Sequence, residues 1–249
     1  MSGHSKWANI KRKKGKVDEE RGKTFTKISR EIIVAVQQGG PDPDGNFRLK
    51  LMIQKAKAAN MPNDNINRCI QKAAGNSDDT KYDEVIYEGY GPAGTAILLE
   101  IMTDNRNRTA SEIRYIFSRN GGNLGETGCV AWMFDRVGRI TVPMEGLDED
   151  EVMMTALDAG AEDVTFEDGI GEIITLPEEL ENVRKGISDA GIEITDAEVT
   201  RIPKNTVAID NVEEAQKVIK LYDLLDEYDD VQNAYSNFEI SDEIMDQLD

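Results

Sequence analysis

Residues 139–202 read RITVPMEGLDEDEVMMTALDAGAEDVTFEDGIGEIITLPEELENVRKGISDAGIEITDAEVTRI. Arg139–Val142, Val164–Glu167, Glu172–Leu176 and Glu193–Ile202 have the β-branched, alternating composition of strands. Between them, Asp148–Ala159 and Pro177–Ala190 have helical spacing. The first of these opens on acidic residues, where the helix dipole favours them. Asp168-Gly169 supplies the tight turn between the second and third strands. The order βαββαβ is that of the split, ferredoxin-like unit and places the chain in the α+β class.

Working outward, the flanks of this unit complement each other. Before it come a hairpin, Asp83–Tyr90 and Thr95–Met102, then a helix Arg108–Arg119 and a strand Cys129–Asp135. After it come a strand Thr206–Ile209, a helix Val212–Tyr228 and a strand Val231–Phe238. The flanks fit as two halves of a second ferredoxin-like domain, into which residues 137–203 are inserted. Upstream lie three amphipathic helices, Thr24–Gln38, Asn46–Ala59 and one from Asn60 to Gly75, with Gly39-Gly40-Pro41 ending the first. Three such helices with short connections make a small bundle. The expected architecture is α+β in three domains: a basic arm with a helical bundle over 1–77, an α+β domain over 78–136 plus 204–249, and an inserted α+β domain over 137–203. Residues 1–23, with glycines at 3, 15 and 22, are not expected to form one continuous helix. The acidic tail Ser241–Asp249 is expected to fray.

Charge is distributed unevenly. The formal net charge is −19, but residues 1–75 hold 16 Lys and Arg against 7 Asp and Glu, a net of +9, and the remainder holds 13 against 41, a net of −28. A basic module on an acidic body attracts phosphate locally and repels it elsewhere. The alternative is that the basic arm docks on the acidic body of its own or a neighbouring chain. No apolar run approaches the roughly 20 residues of a membrane span, and the basic start lacks a secretory pattern, so a cytoplasmic protein is expected. The two cysteines, Cys69 and Cys129, have no metal-type spacing and read as buried thiols in a reducing compartment.

Catalytic signals are missing. Gly89-Tyr90-Gly91-Pro92-Ala93-Gly94 spells G-x-G-x-x-G, but a β-rich segment follows where a dinucleotide fingerprint must open a helix, so it reads as a hairpin loop. The single histidine, His4, has no rigid setting for acid–base work. No enzyme activity, cofactor, metal or small-molecule substrate is expected.

The arm carries the binding signal. Lys6, Lys11, Arg12, Lys13, Lys14 and Lys16 can neutralise phosphates, and Trp7 either stacks on an unpaired base or anchors the arm to the bundle. Further candidates are Asn60 and Met61 in the inter-helix loop, and Arg106 and Arg108, whose guanidinium groups suit phosphate or base edges and equally suit structural ion pairs. The loop Gly121–Gly128 either approaches a ligand backbone or merely connects.

These motifs resemble the YebC/PmpR family. His4-Ser5-Lys6-Trp7-Ala8-Asn9-Ile10-Lys11, the loop Ala58–Ile66, Tyr90-Gly91-Pro92, Asp104–Thr109 and Gly121–Gly125 occur in family order. Ala93 departs from the pattern, where relatives often have glycine. The resemblance implies three domains and two roles. Bacterial members are described as DNA-binding transcriptional regulators. A mitochondrial relative is described as a translational activator, and other bacterial members as ribosome-associated factors that relieve stalling on proline-rich stretches. An arm with a stacking residue suits folded or single-stranded RNA better than major-groove readout. The expected partner is therefore ribosomal RNA, with the large ribosomal subunit as its setting and DNA as the alternative.

Overall fold

The computed structural model describes residues 17–75 and 81–248. They form two compact units, residues 133–204 and the remainder before and after them.

The chain enters through α1 (Val17–Gly39), α2 (Phe47–Ala58) and α3 (Asn63–Ala74). Ile28, Ile32 and Val36 of α1 pack on Leu49 and Ala56 of α2 and on Ile66 and Ala73 of α3, the apolar stripes expected of a bundle. Helix α1 starts seven positions before the expected Thr24, and Gly22 lies inside it. A glycine in a helix interior costs about 1 kcal/mol relative to alanine, too little to stop a helix with four further turns packed on a core.

Asn46 joins α1 to α2. Its side-chain amide donates to the carbonyls of Ala35 (2.7 Å) and Gly40 (2.8 Å), and its Oδ1 accepts from Leu49 N (3.1 Å). The residue is buried, so no water can replace these bonds. Asn46→Ala is expected to lower stability by about 2–3 kcal/mol, read as a shift in urea midpoint at constant m-value. A change below about 0.5 kcal/mol would show that the cap contributes nothing.

The second part of this unit is a four-stranded antiparallel sheet. Strands β1 (Asp83–Tyr90) and β2 (Ala96–Thr103) form the expected hairpin, and Pro92–Gly94 forms a 3-10 turn between them. Ala93 sits in the left-handed region at φ 56°, where glycine is unstrained. Helix α4 (Arg106–Arg119) leads to the short β3 (Asn123–Leu124), which pairs with β1.

The chain then enters the unit 133–204, made of β4 (Phe134–Pro143), α5 (Glu149–Asp158), β5 (Asp163–Glu167), β6 (Ile170–Thr175), α6 (Leu180–Asp189) and β7 (Asp196–Pro203). Its strand order, β5-β6-β4-β7, is the ferredoxin-like one, antiparallel throughout. The sequence suggested two strands, Cys129–Asp135 and Arg139–Val142. The structure has a 3-10 turn at Ala131–Met133 followed by one unbroken strand, β4. Gly138, at the apparent gap, is paired on both sides. A Cβ there would run into the Thr175 hydroxyl and the Leu180 side chain. This glycine serves helix–sheet packing rather than a turn.

On returning, the chain forms β8 (Val207–Ile209), α7 (Val212–Asp226), β9 (Val231–Ser236), β10 (Phe238–Ile240) and the short α8 (Asp242–Met245). Strand β9 completes the order β3-β1-β2-β9, while β8 and β10 form a separate parallel pair. The core of this domain joins Ile97, Leu99 and Ile101 of β2 to Phe117 of α4 and Leu221 and Leu225 of α7. The tail does not fray as expected, because Ile244 and Met245 are buried against this core.

Candidate nucleic-acid interface

Lys6, Trp7, Lys11, Arg12, Lys13, Lys14 and Lys16 lie outside the described residues. The remaining candidates can be placed.

Asn60 and Met61 terminate α2. Asn60 takes φ 58°, its N–H donates to Lys57 O (2.9 Å), and the Met61 N–H donates to Ala56 O (2.9 Å). This bond pair defines a Schellman cap, which places an apolar residue against the core after the left-handed one. Met61 is that residue. It is 6% exposed, lies among the bundle's core side chains, and is not presented to a ligand. Asn60 is exposed.

Arg108 is engaged in the fold. Its Nη2 donates to Asp230 Oδ2 and to Asp104 Oδ1, both at 2.8 Å. Asp230 is 4% exposed and also accepts from Arg30 Nη1 (3.0 Å), Thr109 Oγ1 (2.7 Å) and Thr103 Oγ1 (3.2 Å). Burial pushes its carboxyl up, but the Thr109 and Arg108 hydrogen bonds and the Arg108 and Arg30 charges outweigh this and hold it below the usual range. Arg30 reaches Asp230 from α1, so this carboxylate fastens the bundle to the sheet. Lys27 on Asp226 (3.8 Å) and Arg48 on Glu84 (2.6 Å) extend the fastening, and Arg48 also pairs with Glu31 of α1 (2.9 Å) within the bundle. Lys27, Arg30 and Arg48 of the bundle thus pair with acidic residues of the sheet domain, while the basic arm lies outside the described residues. Arg106 makes one looser contact, with Asp83 at 3.7 Å, and both partners are exposed.

The loop Gly121–Gly128 has a definite structure. Glu88 of β1 is 2% exposed and accepts from the N–H groups of Gly128 (2.6 Å), Val130 (2.8 Å) and Ala131 (2.6 Å). Gly125 N also donates to the Glu88 carbonyl (2.8 Å). These backbone amides could have cradled a phosphate, but an internal carboxylate fills the role. Burial and the Glu88 charge push the Cys129 thiol up, away from the reactive thiolate.

The outward side of α4 extends beyond the two arginines named from the sequence. It carries Arg106, Arg108, Arg114 and Arg119 against Glu112 alone, and Tyr115 is 59% exposed. The signal was a local arginine excess within the acidic body. Beyond the loop, Trp132 is 65% exposed and Tyr90 40% exposed.

The inserted sheet has a different character. Arg139 sits on the face opposite the buried Ile140, between Glu198 (2.5 Å), Glu172 (3.9 Å) and Asp196 (4.0 Å). Sheets that read RNA present aromatic side chains instead. Among the described residues there is no cluster of His, Cys, Asp and Glu that could hold a metal ion, and no helix is long and apolar enough to cross a membrane.

Two family models match the chain. One described as the N-terminal domain of TACO1/YebC proteins matches residues 5–76, and one described as the TACO1/YebC second and third domain matches residues 82–238. A protein of Moorella thermoacetica is 59% identical over all of both chains. One of Pelotomaculum thermopropionicum is 57% identical over 97% of this chain and 100% of its own. Each is called a probable transcriptional regulatory protein. The crystal structure of a conserved hypothetical protein from Aquifex aeolicus, 49% identical, superposes with a TM-score of 0.83 over 92% of this chain and 95% of its own.

Proposed function

The chain belongs to the YebC family, and from that premise we propose that it is a non-enzymatic, cytoplasmic, nucleic-acid-binding regulator of gene expression that acts at translation by contacting ribosomal RNA through its basic amino-terminal module. The observation that carries this reading is the charge split of +9 over residues 1–75 against −28 over the rest. Within the module, Lys27, Arg30 and Arg48 are turned inward onto Asp226, Asp230, Glu31 and Glu84. The arm contributes further cations as candidates for an outside phosphate, among them Lys11, Arg12, Lys13 and Lys14. Residues 133–204 hold 19 Asp and Glu against 6 Lys and Arg, so that unit repels phosphate and orients the contact.

DNA-binding transcriptional regulation is the second reading, and the names of the relatives favour it. Against it stands α3, whose exposed face offers only Arg68 and Lys72 as cations, beside Asp64. That is sparse for a recognition helix.

Sedimentation of lysate through a sucrose gradient separates the two. After DNase treatment the wild type is expected with large ribosomal subunits, and a Lys11→Glu/Arg12→Glu/Lys13→Glu/Lys14→Glu variant at the top. If the arm neutralises four phosphates, raising salt from 50 to 200 mM weakens binding about 10²-fold. Wild type that leaves the top fractions only when DNA is present would replace the translational reading with the transcriptional one.

A further inference from the structure

We propose that the outward face of α4, together with Tyr90 and Trp132, is a second contact surface that takes an unpaired RNA strand, with arginines on its phosphates and the two rings on its bases. The inference rests on the reading of the protein as an RNA binder and adds a site separate from the arm.

Charge is the first argument. Of the four arginines on α4, Arg108 is consumed by Asp230 and Asp104, and Arg106 has only the exposed contact to Asp83. Arg114 and Arg119 are exposed and make no ion pair among the described residues. Tyr115 lies four positions before Arg119, on the same helical stripe. In a body where acid outnumbers base 41 to 13, this is a local cationic face with an aromatic ring set in it.

The rings are the second argument. The Trp132 indole N–H and the Tyr90 hydroxyl both donate to one acceptor, the Cys129 carbonyl, at 3.1 and 3.0 Å. That carbonyl lies between Gly128 and Val130, whose amides Glu88 holds. Two mostly apolar rings are therefore tied by their polar ends to a fixed support while they stay exposed. Side chains already ordered lose little entropy when a base stacks on them.

Contiguity is the third. The Gly122 N–H donates to Phe117 O (2.9 Å), which folds the loop back on the last turn of α4, and Asn123 pairs with Tyr90 across β3 and β1. The arginine-bearing end of α4 and the ring pair thus belong to one corner of the same unit. Because the loop amides serve Glu88, phosphate recognition falls to Arg114 and Arg119. An acidic peptide would satisfy the arginines and leave the rings without a role. A duplex would hide the base faces on which the rings could stack. An unpaired strand uses both.

The protein has two tryptophans, Trp7 and Trp132, so a Trp7→Phe background makes Trp132 the sole indole reporter. In that background, a fluorescein-labelled 12-nucleotide oligouridine is titrated by anisotropy, and an unlabelled one by indole fluorescence. The expected results are quenching of Trp132, at least a tenfold loss of affinity with Arg114→Glu/Arg119→Glu, and at least about a fivefold loss with Trp132→Ala. The arginine variant should also flatten the salt dependence by about 1.4, for two single-strand phosphates. The four-residue arm variant should still show Trp132 quenching at saturation. If the oligonucleotide binds but Trp132 is not quenched and the α4 variants match the parent, this surface is overturned and the arm reading stands. Quenching by oligothymidine but not oligouridine overturns the choice of RNA. Binding by no variant overturns the surface, and ribosome sedimentation then judges the arm independently.

Discussion

Replacing Asp230 with alanine is expected to cost about 3–5 kcal/mol of folding stability, a large share of what a chain of this kind possesses. The carboxylate is buried and accepts from Arg30, Arg108, Thr103 and Thr109. Its removal leaves the Arg30 guanidinium, whose side chain is 17% exposed, without its charge partner, and two buried hydroxyls with one acceptor fewer. Most of the cost comes from those stranded groups rather than from the attraction itself. Arg108 is half exposed and contributes less, so Arg108→Ala is expected to cost only about 1 kcal/mol. A double-mutant cycle of Arg30→Ala with Asp230→Ala should return a coupling above about 1 kcal/mol. Additive losses would show that the bundle is not fastened to the sheet through this pair.

The same site sets a pH dependence of known sign. The Asp230 carboxyl is held below its usual value when folded, and in the unfolded chain it titrates near 3.9. Its stabilising contribution is complete above that unfolded value. It is lost as pH falls toward the lower folded value, because the unfolded chain takes up the proton first. Asp230→Asn does not titrate there. The stability gap between wild type and Asp230→Asn, read from urea midpoints, should therefore narrow as pH is lowered from 5 toward 2. A gap independent of pH would sink this account.

What could be read in advance follows the range of the interactions. The inserted unit is legible because its signals are local: alternation, helical period and an Asp-Gly turn lie within a few residues of one another. The bundle is legible for the same reason. Arg108 is the opposite case. Phosphate contact and structural pairing were equally open, and the deciding partner lies 122 residues further on. Nothing near Arg108 announces Asp230. The single strand β4 was not legible because Gly138, in the gap between the two expected strands, is fitted to the Thr175 hydroxyl and Leu180 far along the chain. Met61 was readable in retrospect, since an asparagine followed by an apolar residue at a helix end is the pattern of a Schellman cap. Arg106 and Arg108 of α4 stand out through their arginine–asparagine motif, whereas a net-charge count over the whole body dilutes Arg114 and Arg119.

Glu88 brings the second large effect. Glu88→Gln is expected to cost about 2–4 kcal/mol while preserving side-chain volume. In the wild type both carboxylate oxygens accept, Oε1 from Gly128 N–H and Oε2 from Val130 and Ala131 N–H. A glutamine has one acceptor oxygen, and its NH2 must face at least one backbone donor. The side chain cannot turn to solvent without leaving three amides unsatisfied, two of them half-buried and that of Val130 fully so. The damage should be local first. Amide exchange at Gly128, Val130 and Ala131 should accelerate more than exchange in the bundle, where Ile32 and Leu49 lie in a separate core. Trp132 should respond as well, because its indole is tied to Cys129 within the same segment. Its emission anisotropy in the Trp7→Phe background should fall as the ring gains freedom. Uniform acceleration of exchange across the chain, with Trp132 anisotropy unchanged, would mean that Glu88 supports the fold at large and does not specifically order the corner on which the proposed RNA surface depends.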